Sequence, residues 1–113
     1  KAAAARGLYS MPGCYTASEA LLALKSGASA LKFFPAGALG PSGVAAIKTI
    51  LPTDAVVGAV GGVSDASFAD YAKIGVRTFG LGTSLYRPGD TGTTVRDNAR
   101  RTIAAYDRVF GTA

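Results

Sequence analysis

The chain's short apolar runs alternate with amphipathic helical stretches, which predicts an α/β fold of four strand–helix units with parallel strands. Two architectures share that rhythm, an open doubly wound sheet and half of an eight-stranded (β/α)8 barrel. Glycine loops favour the barrel: Gly61-Gly62 follows the third apolar run and Gly82-Thr83 the fourth. A barrel builds its phosphate site after strands seven and eight. On this reading residues 1–113 form one partial domain, the second half of a barrel, strands five to eight with their helices.

Each element has a local cause. Gly7–Met11 reads as a strand ended by Pro12-Gly13, and Thr16-Ala17-Ser18-Glu19 is a capping box that starts a helix running to Gly27. The strand Ala30–Phe34 is stopped by Pro35. A turn-rich link from Gly37 to Gly43 leads to a helix carrying Val44, Ile47, Ile50 and Leu51, which Pro52 terminates. Ala55–Val60 has the continuous apolar character of a parallel strand buried on both faces. Ser64 then caps a helix that Gly75 stops, Val76–Leu81 is the fourth strand, and a Pro88-Gly89-Asp90 turn precedes the last helix. Lys25-Ser26-Gly27-Ala28 and Lys73-Ile74-Gly75-Val76 look like one helix-to-strand device used twice.

Composition narrows the function. With 113 residues, 49% hydrophobic and 17% charged, the chain can form a core, and no apolar stretch approaches the roughly 18 residues a bilayer span needs. Lys1–Arg6 is too short and charged for a secretory leader, so a cytoplasmic location is the expectation. One cysteine, Cys14, and no histidine exclude an internal disulfide, the usual zinc sites and the Ser-His and Cys-His catalytic pairs. The net charge of +5 gathers in Arg96, Arg100, Arg101 and Arg108. These lie mostly off the helical stripe of Val95, Ala99, Thr102, Ile103, Tyr106 and Val109, and no interleaved aromatic motif accompanies them. They read as a solvated face rather than a nucleic-acid surface. A positive balance suits an anionic, phosphorylated substrate.

The candidate catalytic residue is Lys32, a single cation in the apolar run Ala30-Leu31-Lys32-Phe33-Phe34-Pro35-Ala36. An amine with apolar neighbours loses hydration, which favours the neutral form that attacks a ketone to give a Schiff base. The competing reading is a lysine whose stem packs while its head reaches water. The glycine loops likewise have two readings, backbone amides that cradle an anion or simple tight turns.

Taken together, Pro12-Gly13 with Thr16 and Glu19, Leu31–Ala36, Gly40-Pro41, Leu51-Pro52, Ala59–Val63 and Gly80–Arg87 resemble the 2-keto-3-deoxy-6-phosphogluconate and 6-phosphogalactonate aldolases over nearly the whole chain. Members are complete barrels of about two hundred residues, so the chain resembles only their second half. The resemblance implies that Lys32 forms the Schiff base and that Phe34 lines the pyruvate end. It also implies that Gly61, Gly62, Gly82 and Thr83 bind phosphate, with Thr83 keeping a hydroxyl where many members have serine. Val60 stands where the phosphogluconate enzymes have threonine and the phosphogalactonate enzymes valine, which leans the substrate toward the galactonate epimer.

The implied reaction is a retro-aldol cleavage of a phosphorylated sugar acid that needs no metal or other cofactor, carried out by a homotrimer of complete barrels. The family's catalytic glutamate and carboxylate-binding arginine come from earlier strands, outside this chain. Glu19, Asp54, Asp65 and Asp70 sit in caps, turns or helix starts, so none is assigned as the base. The absent initiator methionine also reads as a portion of a longer protein. The alternatives are an aldolase for the gluconate epimer, one for 4-hydroxy-2-oxoglutarate, or a non-enzymatic phosphate-binding half-barrel module.

Overall fold

A computed structural model describes residues 1–111. Four parallel strands, β1 (Gly13–Cys14), β2 (Leu31–Phe33), β3 (Val57–Val60) and β4 (Thr78–Gly80), lie side by side in chain order. Helices α2 (Ala17–Lys25), α3 (Ala36–Lys48) and α4 (Phe68–Lys73) connect them, α1 (Ala2–Ala5) precedes them, and α5 (Gly92–Phe110) follows. Sequential parallel pairing with a helix between each pair of strands is the plan of a barrel segment.

The register sorts the side chains into two faces. Leu31, Phe33, Val57, Ala59 and Cys14 point toward the helices and are buried with Val44, Phe68, Tyr71 and Val76. Phe68 anchors an aromatic cluster, its ring 4.7 Å from Phe79 and 5.7 Å from Tyr106. On the opposite face Gly13, Lys32, Gly58 and Thr78 form one row across the sheet, because Gly13 pairs with Lys32, Lys32 with Gly58, and Gly58 with Thr78. That face is the barrel interior.

The helix ends follow the sequence closely. The Thr16 hydroxyl accepts from the Glu19 amide, and the Glu19 carboxylate accepts from the amides of Thr16 and Tyr15, completing the expected box. The helix-to-strand device is present at both expected places. Ala28 and Val76 donate to the carbonyls of Ala23 and Tyr71, and Gly27 and Gly75 to those of Leu24 and Ala72. It also occurs a third time, where Gly7 and Leu8 close α1 onto Ala4 and Ala3.

Several expectations are corrected. The first strand lies at Gly13–Cys14, not Gly7–Met11, since β2 pairs with the carbonyls of Pro12 and Cys14, and Leu8 and Tyr9 stay exposed. A proline is tolerated there because only its carbonyl enters the ladder, at a sheet edge. The link Gly37–Gly43 is largely helical, as α3 starts at Ala36 and is broken at Gly40, where φ is 72°. Within β3 the residues Val57, Gly58 and Ala59 are buried, as a strand covered on both faces requires, whereas Val56 just before it is 47% exposed and Val60 at its end is half-buried. On α5 the buried positions are Thr102 and Ala105, while Ile103 is 61% exposed beside the β4 edge. The four arginines of α5 are exposed, as their spacing predicts. No described helix is long and apolar enough to cross a membrane.

Candidate active site

The third and fourth strands end beside each other, and their loops enclose a cavity of about 370 Å³. Its walls are Phe34, Val60 to Val63 and Gly80 to Thr83. Six residues singled out from the sequence, Phe34, Val60, Gly61, Gly62, Gly82 and Thr83, are therefore brought together. Val60 pairs with Gly80, and a Cβ on Gly80 would meet the Val60 Cγ2 at 2.7 Å, so the absent side chain leaves room for the valine.

Loop geometry explains two of the glycines. Gly61 and Gly62 hold φ at 89° and 71°, conformations that other residues adopt at a cost, so tight turning accounts for both. Gly82 is different. Its φ is not positive and a Cβ there would meet nothing within 4 Å, so neither backbone nor packing calls for glycine. Gly82 is exposed, and the space in front of it is open.

Neighbouring segments pin these loops. The Gly82 carbonyl accepts from the amides of Leu85 and Tyr86, Arg87 Nε donates to the Thr83 carbonyl at 3.3 Å, and Asn98 Nδ2 on α5 donates to the Leu85 carbonyl at 3.0 Å. On the other side the Gly37 amide donates to the Gly61 carbonyl at 2.7 Å. A Cβ on Gly37 would come within 3.3 Å of that oxygen and of the Gly62 Cα, so the start of α3 and the β3 loop touch backbone to backbone. Sequence reasoning passed over Gly37, whose only signal is a glycine one residue beyond Pro35-Ala36.

Lys32 does not line the cavity. It stands on the same sheet face two residues before the level of Val60 and Gly80, a step of about 7 Å along a strand. It is half-buried, with Gly13 and Gly58 on either side. The Phe34 ring leans the other way, over Gly61, where a Cβ would meet it at 2.8 Å; the ring is thus a wall of the glycine cavity.

Glu19, Asp65 and Asp70 are occupied elsewhere. Glu19 is held below its ordinary pKa of 4.5, first by the Tyr15 amide and then by the Thr16 hydroxyl and amide. Asp65 and Asp70 pair with Arg101 and Lys73 at 3.3 and 2.9 Å. Cys14 is buried on the helix side, and that burial, with the nearby Glu19 charge, pushes its thiol up.

Residues 1–96 match the family model described as KDPG and KHG aldolase. The chain belongs to that family. It is 58% identical over 109 residues to a probable 2-dehydro-3-deoxy-6-phosphogalactonate aldolase of Rhizobium meliloti (strain 1021), covering 96% of this chain and 51% of the relative. It is 43% identical over 100 residues to the Escherichia coli (strain K12) 2-dehydro-3-deoxy-6-phosphogalactonate aldolase, covering 88% and 49%. A solved structure described as native KDPGal superposes with a TM-score of 0.88 at 40% identity, over 94% of this chain and 52% of its own. The chain thus spans about half the length of the curated relatives it matches, and its four-stranded sheet corresponds to a half barrel.

Proposed function

We propose that the protein is a Schiff-base aldolase that cleaves 2-dehydro-3-deoxy-6-phosphogalactonate to pyruvate and glyceraldehyde 3-phosphate, with Lys32 as the amine and the glycine cavity as the phosphate site. The observation that carries the reading is the shared orientation of the two: the half-buried lysine and the cavity of Gly61, Gly62, Gly82 and Thr83 lie on one sheet face, about 7 Å apart in level. A six-carbon acid phosphorylated at one end and ketonic near the other spans such a gap. Gly82 adds support, because its open surface admits a bulky anion close to the backbone.

In this mechanism the Lys32 Nζ attacks the C2 ketone, and loss of water leaves a protonated imine. A base removes the C4 hydroxyl proton, C4 becomes the aldehyde carbon, and the C3–C4 bonding pair moves into the iminium as that bond breaks. The enamine that stays on Lys32 is protonated at C3 and hydrolysed to pyruvate. Phosphate contacts hold C3–C4 against the imine, so their binding energy serves turnover as well as affinity. The base and the carboxylate-binding arginine belong to the part of the barrel outside this chain, and the working unit is a homotrimer of complete barrels. Val60, on the cavity wall, favours the galactonate epimer by withholding a hydroxyl.

The test is to incubate the native-length protein with pyruvate and borohydride and locate the adduct by peptide mass spectrometry. A reduced pyruvyl group on Lys32, absent from Lys32→Ala, is the expected result. No adduct on folded protein would sink the aldolase mechanism and leave a phosphate-binding module. Comparing the two phosphorylated epimers with 4-hydroxy-2-oxoglutarate then assigns the substrate.

A further inference from the structure

Lys32 stands between two strand neighbours that have no side chain, Gly13 on β1 and Gly58 on β3. Nothing in that row confines its stem, yet the stem takes one side: a Cβ on Gly13 would lie 3.5 Å from the Lys32 Cε. The other side is filled. A Cβ on Gly58 would overlap the Cε of Met11, and Gly58 is buried. Met11 lies two residues before Gly13, so it shares Gly13's face, and to reach β3 its side chain has to pass over β2 next to Lys32. Alternate strands are about 10 Å apart, a gap that only a long unbranched side chain closes, and a thioether fits an irregular notch of this kind.

We propose that Met11 is a positioning residue for Lys32: it fills the Gly58 notch, closes that side of the row and keeps the lysine stem over Gly13. The role rests on the Schiff-base function proposed for Lys32. It also gives Gly58 a purpose, since the missing side chain makes the seat that the methionine occupies.

The experiment measures the rate of borohydride-trapped pyruvyl adduct on Lys32 at saturating pyruvate, in native-length protein shown to be folded by circular dichroism. The variants are Met11→Ala, Gly58→Ala and the pair. Met11→Ala is expected to slow the adduct about tenfold by loosening the amine. Gly58→Ala is expected to slow it as well, because the new methyl drives the methionine toward Lys32. Combined with Met11→Ala the same methyl refills the vacated notch, where its nearest remaining neighbours are the Thr78 carbonyl oxygen at 3.2 Å and Cγ2 at 3.4 Å, so the folded double variant should be no slower than Met11→Ala alone. Met11→Leu keeps volume without reach and carries the first expectation where Met11→Ala does not fold.

A merely structural methionine would lower the melting temperature and leave the trapping rate of folded protein unchanged. That result, or rate effects that simply add, overturns the positioning role while the aldolase reading stands. Absence of any wild-type adduct removes both.

Discussion

At Gly62 a methyl group would face the Gly37 Cα at 3.2 Å while the backbone holds φ at 71°, so crowding and backbone strain act together. Gly62→Ala is expected to lower unfolding free energy by about 1–2 kcal/mol, read from urea unfolding, and to impair the cavity with it. Gly82→Ala separates these effects. Its methyl enters open space at an ordinary φ, so stability should change by less than about 0.5 kcal/mol. On the proposed function, turnover of the phosphorylated substrate should still fall severalfold; unchanged kinetics would remove Gly82 from the phosphate site. Val60→Thr restores a hydroxyl to the cavity wall and should raise the relative use of the gluconate epimer, measured as the ratio of kcat/KM for the two compounds.

The N-terminus of α2 shows how one element carries a pH dependence. Glu19 accepts from two amides and the Thr16 hydroxyl more strongly when ionised than when protonated, and those bonds lower its folded pKa from 4.5. A lowered folded value means the contribution is fully present above pH 4.5 and is lost as pH falls through the folded pKa. Glu19→Gln should therefore flatten the acid limb of the stability curve below that pH and matter little to its slope at neutrality, a difference thermal melts across pH resolve. Thr16→Ala removes the acceptor for the Glu19 amide and should cost about 1 kcal/mol. The other elements depend more on packing. Phe68, 1% exposed at the centre of the ring cluster with Phe79, Tyr106 and Phe110, binds α4 and β4 to α5, and Phe68→Ala should cost about 3–5 kcal/mol by denaturant unfolding.

For the molecule as a whole, the buried helix-facing layer and the open interior face have different consequences. Edge strands β1 and β4 and exposed Val56, Leu8 and Tyr9 leave unpaired backbone and apolar surface on the 113-residue chain. Prepared by itself it should associate as concentration rises, seen by sedimentation, and adding a complementary half barrel should suppress that association. The amino-acid sequence determined the strand–helix rhythm, the Thr16 cap, the helix-to-strand turns at Gly27 and Gly75 and the exposed arginines of α5, because each follows from local hydrogen bonding or helical periodicity. It also marked the cavity residues Gly61, Gly62, Gly82 and Thr83, since glycines just past consecutive apolar runs leave a local signature. Only the tertiary structure decided which backbone of the first segment enters the sheet, because Gly7 is spent on closing α1 with a φ of 67° and pairing with β2 selects Gly13–Cys14. It likewise decided that Phe34 leans over Gly61, that Gly37 touches the β3 loop and that Met11 reaches Gly58. Those contacts join residues far apart in the chain, and their geometry is set by register and strand spacing, which no local pattern encodes.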